Sequence, residues 1–482
     1  MKHLWLLVLA ALSMAHVGSP DAFFTGKAGP YDVRVTVRLP GVIPGRAQVA
    51  VRIVGVTTAI QQVSLQAGQW NIGLKGAPPP EPAVAVPGDP HLYSAELWLM
   101  TASSYQMAVH VTGEAGSGTA IVPVVAMATV ERPMPQWLGA ILGGLGLFLT
   151  AGFVTIIGSA IRESVLPPGV EPDSRRRRRA RIGIALATVG VALLLWGGNL
   201  WWAAEASGYS RFVLYRPFSA EVQTTPDARL TLAIRDERWT GTPNPMSRYN
   251  ALLPDHGKLM HLFLVREPGL DAFAHLHPVA RSPQALEFDT ALPALPAGRY
   301  RVYGDIVHES GYAQTMVSSV EIHDSDGTTP TDPDDSWFNG SPIDPIGPAA
   351  SFDIGDGLNV LWNRGASALV AGEEIVLAFS VRDAAGTPVT VEPYMGMAAH
   401  AIVANRDGSV FAHLHPSGSI SMAALQKFTA TTPLGDHAGH DVALDSAVAI
   451  PFAFPQPGEY RIWVQAKRGG KVRTAVFQAA VR

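Results

Sequence analysis

Two long apolar runs, residues 137–161 and 182–203, flank a loop that reads RESVLPPGVEPDSRRRRRAR. Each run is long enough to cross a bilayer as a helix. The loop, residues 162–181, holds Arg162, five consecutive arginines at 175–179 and Arg181, and a short loop this rich in arginine belongs in the cytoplasm. The pair constrains the rest of the chain, because everything before and after it must then lie on the outer side. Fourteen of the fifteen histidines face outward on this reading, the other being His3. A nucleic-acid patch is the alternative for the arginines, but both flanks are apolar spans and the net charge of −4 shows no basic excess. The expected partner is a membrane, entered through two helices, with no nucleic acid.

The first residues read MKHLWLLVLAALSMAHVGSPD. Lys2, an apolar stretch and a small-x-small Ser13-Met14-Ala15 predict a signal peptide over residues 1–15, too short to span a bilayer. Cleavage there makes His16 the first mature residue. The expected location is the inner (cytoplasmic) membrane, with the N- and C-terminal domains in the periplasm. Cysteine is absent, which excludes disulfides, thiolate zinc sites, iron–sulfur clusters and the cysteine-containing blue-copper site.

Residues 16–133 alternate apolar and polar side chains in YDVRVTVRL, AQVAVRIV and YQMAVHV, the pattern of half-buried strands. Residues 209–323 and 352–482 read as two copies of one unit. KLMHLFLVREPGLDAFAHLHP and AGRYRVYGDIVH in the first answer GMAAHAIVANRDGSVFAHLHP and PGEYRIWVQAKR in the second. Residues 324–351, rich in Asp, Pro, Ser and Gly, read as an extended linker. The expected fold is mainly β: three outward-facing antiparallel β-sandwiches of immunoglobulin-like kind plus two transmembrane helices.

The histidines sit at matching places in the two copies. In the second, Asp407-Gly408 between apolar runs predicts a two-residue type I′ turn, which sets Ile402 opposite His413 and His400 opposite His415. In the first, a three-residue loop Pro268-Gly269-Leu270 sets Phe263 opposite His275 and His261 opposite His277. Alternate and opposed residues share a face, so His261, His275 and His277 gather on one side, as do His400, His413 and His415. Such trios suit Cu²⁺ or Zn²⁺.

Further candidates surround them. His308, ending its strand, is a possible fourth ligand in the first copy. Met395 and Met397 lean the second toward copper, because thioethers favour Cu(I); Met422, His437 and His440 lie nearby in sequence. His256 and His323 read as surface residues. In the N-terminal domain, His16 with its α-amine makes a chelate with His110 as preferred partner.

The repeated unit resembles YtkA-like and FixH-like periplasmic sandwich domains, through HLFLV…FAHLHP followed by GRYRVYGD. The likeness covers residues 209–323 and 352–482 and implies copper handling or oxidase maturation. The start HVGSPD, on a sandwich followed by spans, is similar in plan to CopC-type copper-binding proteins, though only His16 of that ligand pattern is visible. These readings together predict a membrane-anchored copper-binding protein, with zinc as the alternative metal, that stores, buffers or delivers the ion, with a copper pump or terminal oxidase as its partner. A His-coordinated metalloenzyme is a second class, with Asp271, Asp305 and Asp407 as candidate bases. A metal-free scaffold or oxidase-assembly partner is a third.

Overall fold

The computed structural model describes residues 21–167, 169–239, 247–323, 327–328, 332–341, 350–365, 367–430 and 447–482. The segment expected to be a signal peptide, His16, His437 and His440 lie outside the described residues. The chain divides into two compact units, Ala128–Tyr215 and the remainder.

The smaller unit is a pair of helices, Gln136–Glu163 and Ser174–Gly208, both long and apolar enough to cross a membrane. They touch where side chains are small: a Cβ added to Gly158 would meet Ile184, and one added to Gly183 would meet Ile161. The second helix begins before the arginine run, so those arginines are helical and not in a loop. Asp173 explains the early start, since its carboxylate accepts from the Arg176 N–H at 2.6 Å and caps the first turn.

The larger unit contains three two-sheet antiparallel domains. In the N-terminal one, a sheet including Tyr31–Arg38 and Gly45–Val54 faces a sheet including Ile60–Gln69 and Ser104–Gly113. Val33, Val35 and Val37 are buried beside Val49, Val51 and Ile53, the period-two alternation that the sequence shows.

Each tandem domain pairs a four-stranded sheet with a histidine-bearing one. In the first, the histidine-bearing sheet includes Gly298–His308, His261–Arg266, Ala272–Leu276 and Ser336–Asn339 in that order. In the second, the order is Phe411–Leu414, His400–Asn405, Gly458–Arg468 and Lys471–Val481. These strands are buried on both faces. Leu262, Leu264, Ala274, Leu276 and Val302 belong to the first domain's own core. The intervening Phe263, Val265, Phe273 and Tyr303 join Ile402, Phe411 and Trp463 of the second domain in a separate cluster. The two histidine-bearing sheets therefore pack face to face.

The contact is self-complementary. Tyr303 stacks on Phe411 with ring centroids 3.9 Å apart, and Trp463 stacks on Phe273 at 4.8 Å. Tyr303 and Trp463 hold matching positions, opposite Phe263 and Ile402 respectively. This is the exchange that a pseudo-twofold axis between two related surfaces produces.

The segment read as a linker is built into the site. Ser336–Asn339 adds a strand to the edge of Ala272–Leu276, with Ser336 opposite His275. Asp334 and Asp332 form ion pairs with Lys467 and Lys258.

Candidate metal centre

Hairpin register places the histidines. Phe263 pairs with His275 and Leu262 with Leu276 in the first domain, and Ile402 with His413 in the second. The turn before His413 differs from the expected type I′: Gly408 is left-handed (φ 72°) but Asp407 is not. Asn405 accepts from the Gly408 N–H, and a four-residue connection keeps the same register.

The face-to-face packing brings both sets of histidines into one cluster. His261, His275, His277, His400 and His415 are each 4% exposed or less. His261, His275 and His277 present ligand atoms all within 4.8 Å of one another.

Hydrogen bonds orient this trio. His261 Nε2 lies 3.1 Å from the Asp255 carbonyl; a carbonyl only accepts, so Nε2 carries the proton and Nδ1 the lone pair. His275 Nδ1 lies 2.9 Å from Gln465 Oε1 and 3.2 Å from Tyr394 Oη, and the Tyr394 hydroxyl donates onward to the Asp334 carbonyl. His275 thus donates through Nδ1 and keeps its lone pair on Nε2. His277 donates through Nδ1 to Asp335 Oδ1 at 2.9 Å, and its Nε2 is buried without a partner.

Two of the three lone-pair nitrogens, His261 Nδ1 and His275 Nε2, face each other at 3.1 Å. With both protons committed elsewhere, nothing of the protein's own lies between them. Two nitrogens bound to one tetrahedral ion at about 2.0 Å would stand roughly 3.3 Å apart. An acceptor behind each ring is the arrangement that fixes tautomer and orientation in histidine metal sites. The residues fit a bound cation.

Burial holds His261, His275, His400 and His415 well below the usual imidazole value of about 6.5, and neighbouring imidazoles add to the effect for each. Their rings are neutral at neutral pH, the form that binds a metal.

The second set divides differently from the expected His400, His413 and His415. His400 and His415 group with His256, which was expected at the surface. His256 sits in a two-residue turn between Asp255 and Lys258, whose backbones bond reciprocally at 2.8 and 2.9 Å. With His256 at φ 53° and Gly257 at φ 80°, this is a type I′ turn, and the DHG sequence was its signal. Asp255 accepts from the Ala423 N–H in the second domain at 2.8 Å, docking the turn there. His413 lies between the groups, with ring centroids 5.3 Å from His261 and 4.5 Å from His415. Its Nδ1 faces Asp305 Oδ2 at 3.4 Å.

Other candidates lie elsewhere. His308 is not a fourth ligand: its Nδ1 donates to the Asn250 carbonyl at 2.6 Å, Nε2 meets the Gln314 amide, and Phe218, Trp239 and Tyr249 surround the ring. Its strand continues past the site, so the residue three beyond Asp305 faces an aromatic pocket. His110 is in the N-terminal sandwich with Nδ1 2.8 Å from Thr119 Oγ1, outside every metal-type grouping among the described residues. Met395 and Met397 flank Gly396 in a turn of the same form as Asp255–Lys258, and both are buried. His323 is exposed, as expected. Among the candidate bases, Asp271 is paired with Arg266, Asp407 caps its own turn through Ser409, and Asp305 accepts from Thr315. Sequence reasoning missed Asp335; its signal was the run of aspartates in TDPDDSW.

A family model described as Domain of unknown function (DUF8832) matches residues 216–323 and 352–482, the two tandem domains. No curated protein matches the sequence. Among solved structures, an engineered protein aligns at 21% identity over 19% of this chain and 19% of that chain, with a TM-score of 0.16. A tetra-tandem repeat from the extending region of a large adhesion protein aligns at 9% identity over 94% of this chain and 74% of that one, TM-score 0.17. The native conformation of E. coli alpha-2-macroglobulin aligns at 9% identity over 97% of this chain and 23% of that one, TM-score 0.21. Scores this low carry no argument about fold or function.

Proposed function

We propose that this protein is a membrane-anchored, outward-facing metal-binding protein that stores, buffers or hands on copper. The observation that carries the reading is the pair of unprotonated nitrogens, His261 Nδ1 and His275 Nε2, held 3.1 Å apart with their other nitrogens committed to acceptors. Without a cation, two lone pairs face each other in a buried pocket, an arrangement that costs energy. The ion would be held by His261, His275 and His277, with Asp255, Gln465, Tyr394 and Asp335 orienting the rings.

Copper is favoured over zinc by the second domain's methionines. Met395 holds in its turn the place that His256 holds in the first domain, five residues before His400 as His256 is before His261. A thioether at the repeat position of an imidazole is a soft donor suited to copper. The two apolar helices would supply the anchor, and the arginines at the start of the second helix favour an outward-facing metal centre, where a pump or terminal oxidase would be a fitting recipient. An enzymatic role is less well supported, because Asp271 is paired with Arg266 and Asp407 caps its own turn, which leaves Asp305 alone of the three beside the cluster.

The test is metal analysis of the full-length protein in detergent after dialysis against Cu²⁺ or Zn²⁺. Wild type should retain metal in stoichiometric amount, and His261→Ala with His277→Ala should lose the ion held by the first trio. A wild-type protein that emerges free of both metals would end the proposal.

A further inference from the structure

We infer that His256, His400 and His415 form a second metal site, built across the boundary between the tandem domains and standing beside the first. The inference rests on the metal-binding reading above and adds a site, its ligands and its interdomain character. Three observations carry it. First, the three rings converge, with centroids 5.2 Å from His256 to His400, 5.2 Å from His256 to His415 and 5.0 Å from His400 to His415, and with ligand atoms all within 4.8 Å of one another.

Second, these rings lack partners. His256 Nε2 and both ring nitrogens of His400 and of His415 are buried with no hydrogen bond; the His415 ring faces the Ile420 carbonyl without reaching bonding geometry. A neutral imidazole has one donor and one acceptor to satisfy, and five unmet nitrogens in one pocket far exceed what folded proteins tolerate. A cation removes the acceptor deficit of all three at once.

Third, the backbone is arranged to deliver His256 to the other domain. Its left-handed φ of 53° is a conformation that a non-glycine residue adopts at a cost. The neighbouring Asp255 is fastened to the Ala423 N–H of the second domain, and the His256 ring faces the Met395 backbone of that domain. His413, whose Nε2 is also buried without a partner, separates this site from the first. The two ions would be neighbours, and the second would pin the tandem domains together.

The test uses full-length protein in detergent, Zn²⁺ as probe, and metal counted after dialysis. His256→Asn is the informative variant, because asparagine accepts the left-handed turn and so preserves the fold while removing the imidazole. It should bind one equivalent fewer than wild type, and His415→Ala should show the same loss. With Cu²⁺, wild type should give a spin-coupled or dipolar-broadened resonance, and His256→Asn the sharp signal of an isolated ion. If wild type binds metal and His256→Asn binds as much, with an unchanged spectrum, the second site is refuted while the first stands. If wild type binds none, both readings fall together.

Discussion

Gln465, in the second tandem domain, accepts a hydrogen bond from Nδ1 of His275 in the first, at 2.9 Å. Its repeat counterpart is Asp305, which pairs with His261 as Gln465 pairs with His400, and Asp305 faces His413 across the same boundary. Each domain thus lends an orienting group to a histidine of the other. The exchange is unequal, since one group is a neutral amide and the other a carboxylate.

The amide lends itself to direct measurement. Gln465→Leu removes the main acceptor behind His275 and leaves Tyr394 Oη, at the longer 3.2 Å, to hold the ring. Loss of such an outer partner typically weakens metal affinity by about 10–100-fold. Competitive titration of the variant against a chelator should show a loss in that range with the fold retained. Unchanged affinity would mean that His275 is not a ligand.

Metal should also stabilise the folded chain. A ligand that binds only the native state at about 100 times its Kd adds about 2.7 kcal/mol, and the proposed ligands are brought together only by the folded chain. The melting midpoint of wild type should rise with added Zn²⁺ or Cu²⁺ and fall back with chelator. His261→Ala with His277→Ala should respond much less. Identical melting curves for wild type with and without metal would favour a structural histidine cluster.

Hairpin register was legible because it depends on local turn chemistry and on the two-residue period of a strand. His275 opposite Phe263, and His413 opposite Ile402, followed from counting outward from the turns. The partner of each histidine-bearing face was less legible. HLFLV and AFAHL are apolar at consecutive positions, the sign of strands covered on both sides, but nothing local says that the cover is the other repeat. That missing contact is why the sequence alone reads His256 as a surface residue and sets His413 with His400 and His415. Asp335 was obscured because an Asp-rich, Pro-rich stretch has a linker's composition even where four of its residues complete a sheet.

The interface should be expensive to damage. Phe411 stacks on Tyr303 and also packs against Phe263, at 5.2 Å between centroids, and it is 1% exposed. Phe411→Ala should cost about 3–5 kcal/mol in chemical denaturation. It should also weaken metal binding, because His413 is two residues along the same strand and would lose the face that holds it against the first domain. A variant that loses stability but keeps wild-type metal affinity would show that the centre does not depend on this packing.

His308 gives the protein an acid sensitivity separate from metal. Burial among aromatic rings lowers its pKa to about 4, offset only partly by the hydrogen bond to Asn250. The unfolded chain, with its imidazole near 6.5, then takes up a proton that the folded chain refuses. The stabilising contribution is therefore fully present above about pH 6.5 and is lost progressively as pH falls toward 4. Replacing His308 by Gln removes the titrating group and keeps a polar side chain beside Asn250 and Gln314. In metal-free protein, going from about pH 7 to about pH 5 should cost wild type about 2 kcal/mol more than His308→Gln. Whatever the other residues contribute is common to both proteins and cancels in the comparison. Equal losses in denaturant melts at the two pH values would show that His308 is not held neutral by its pocket.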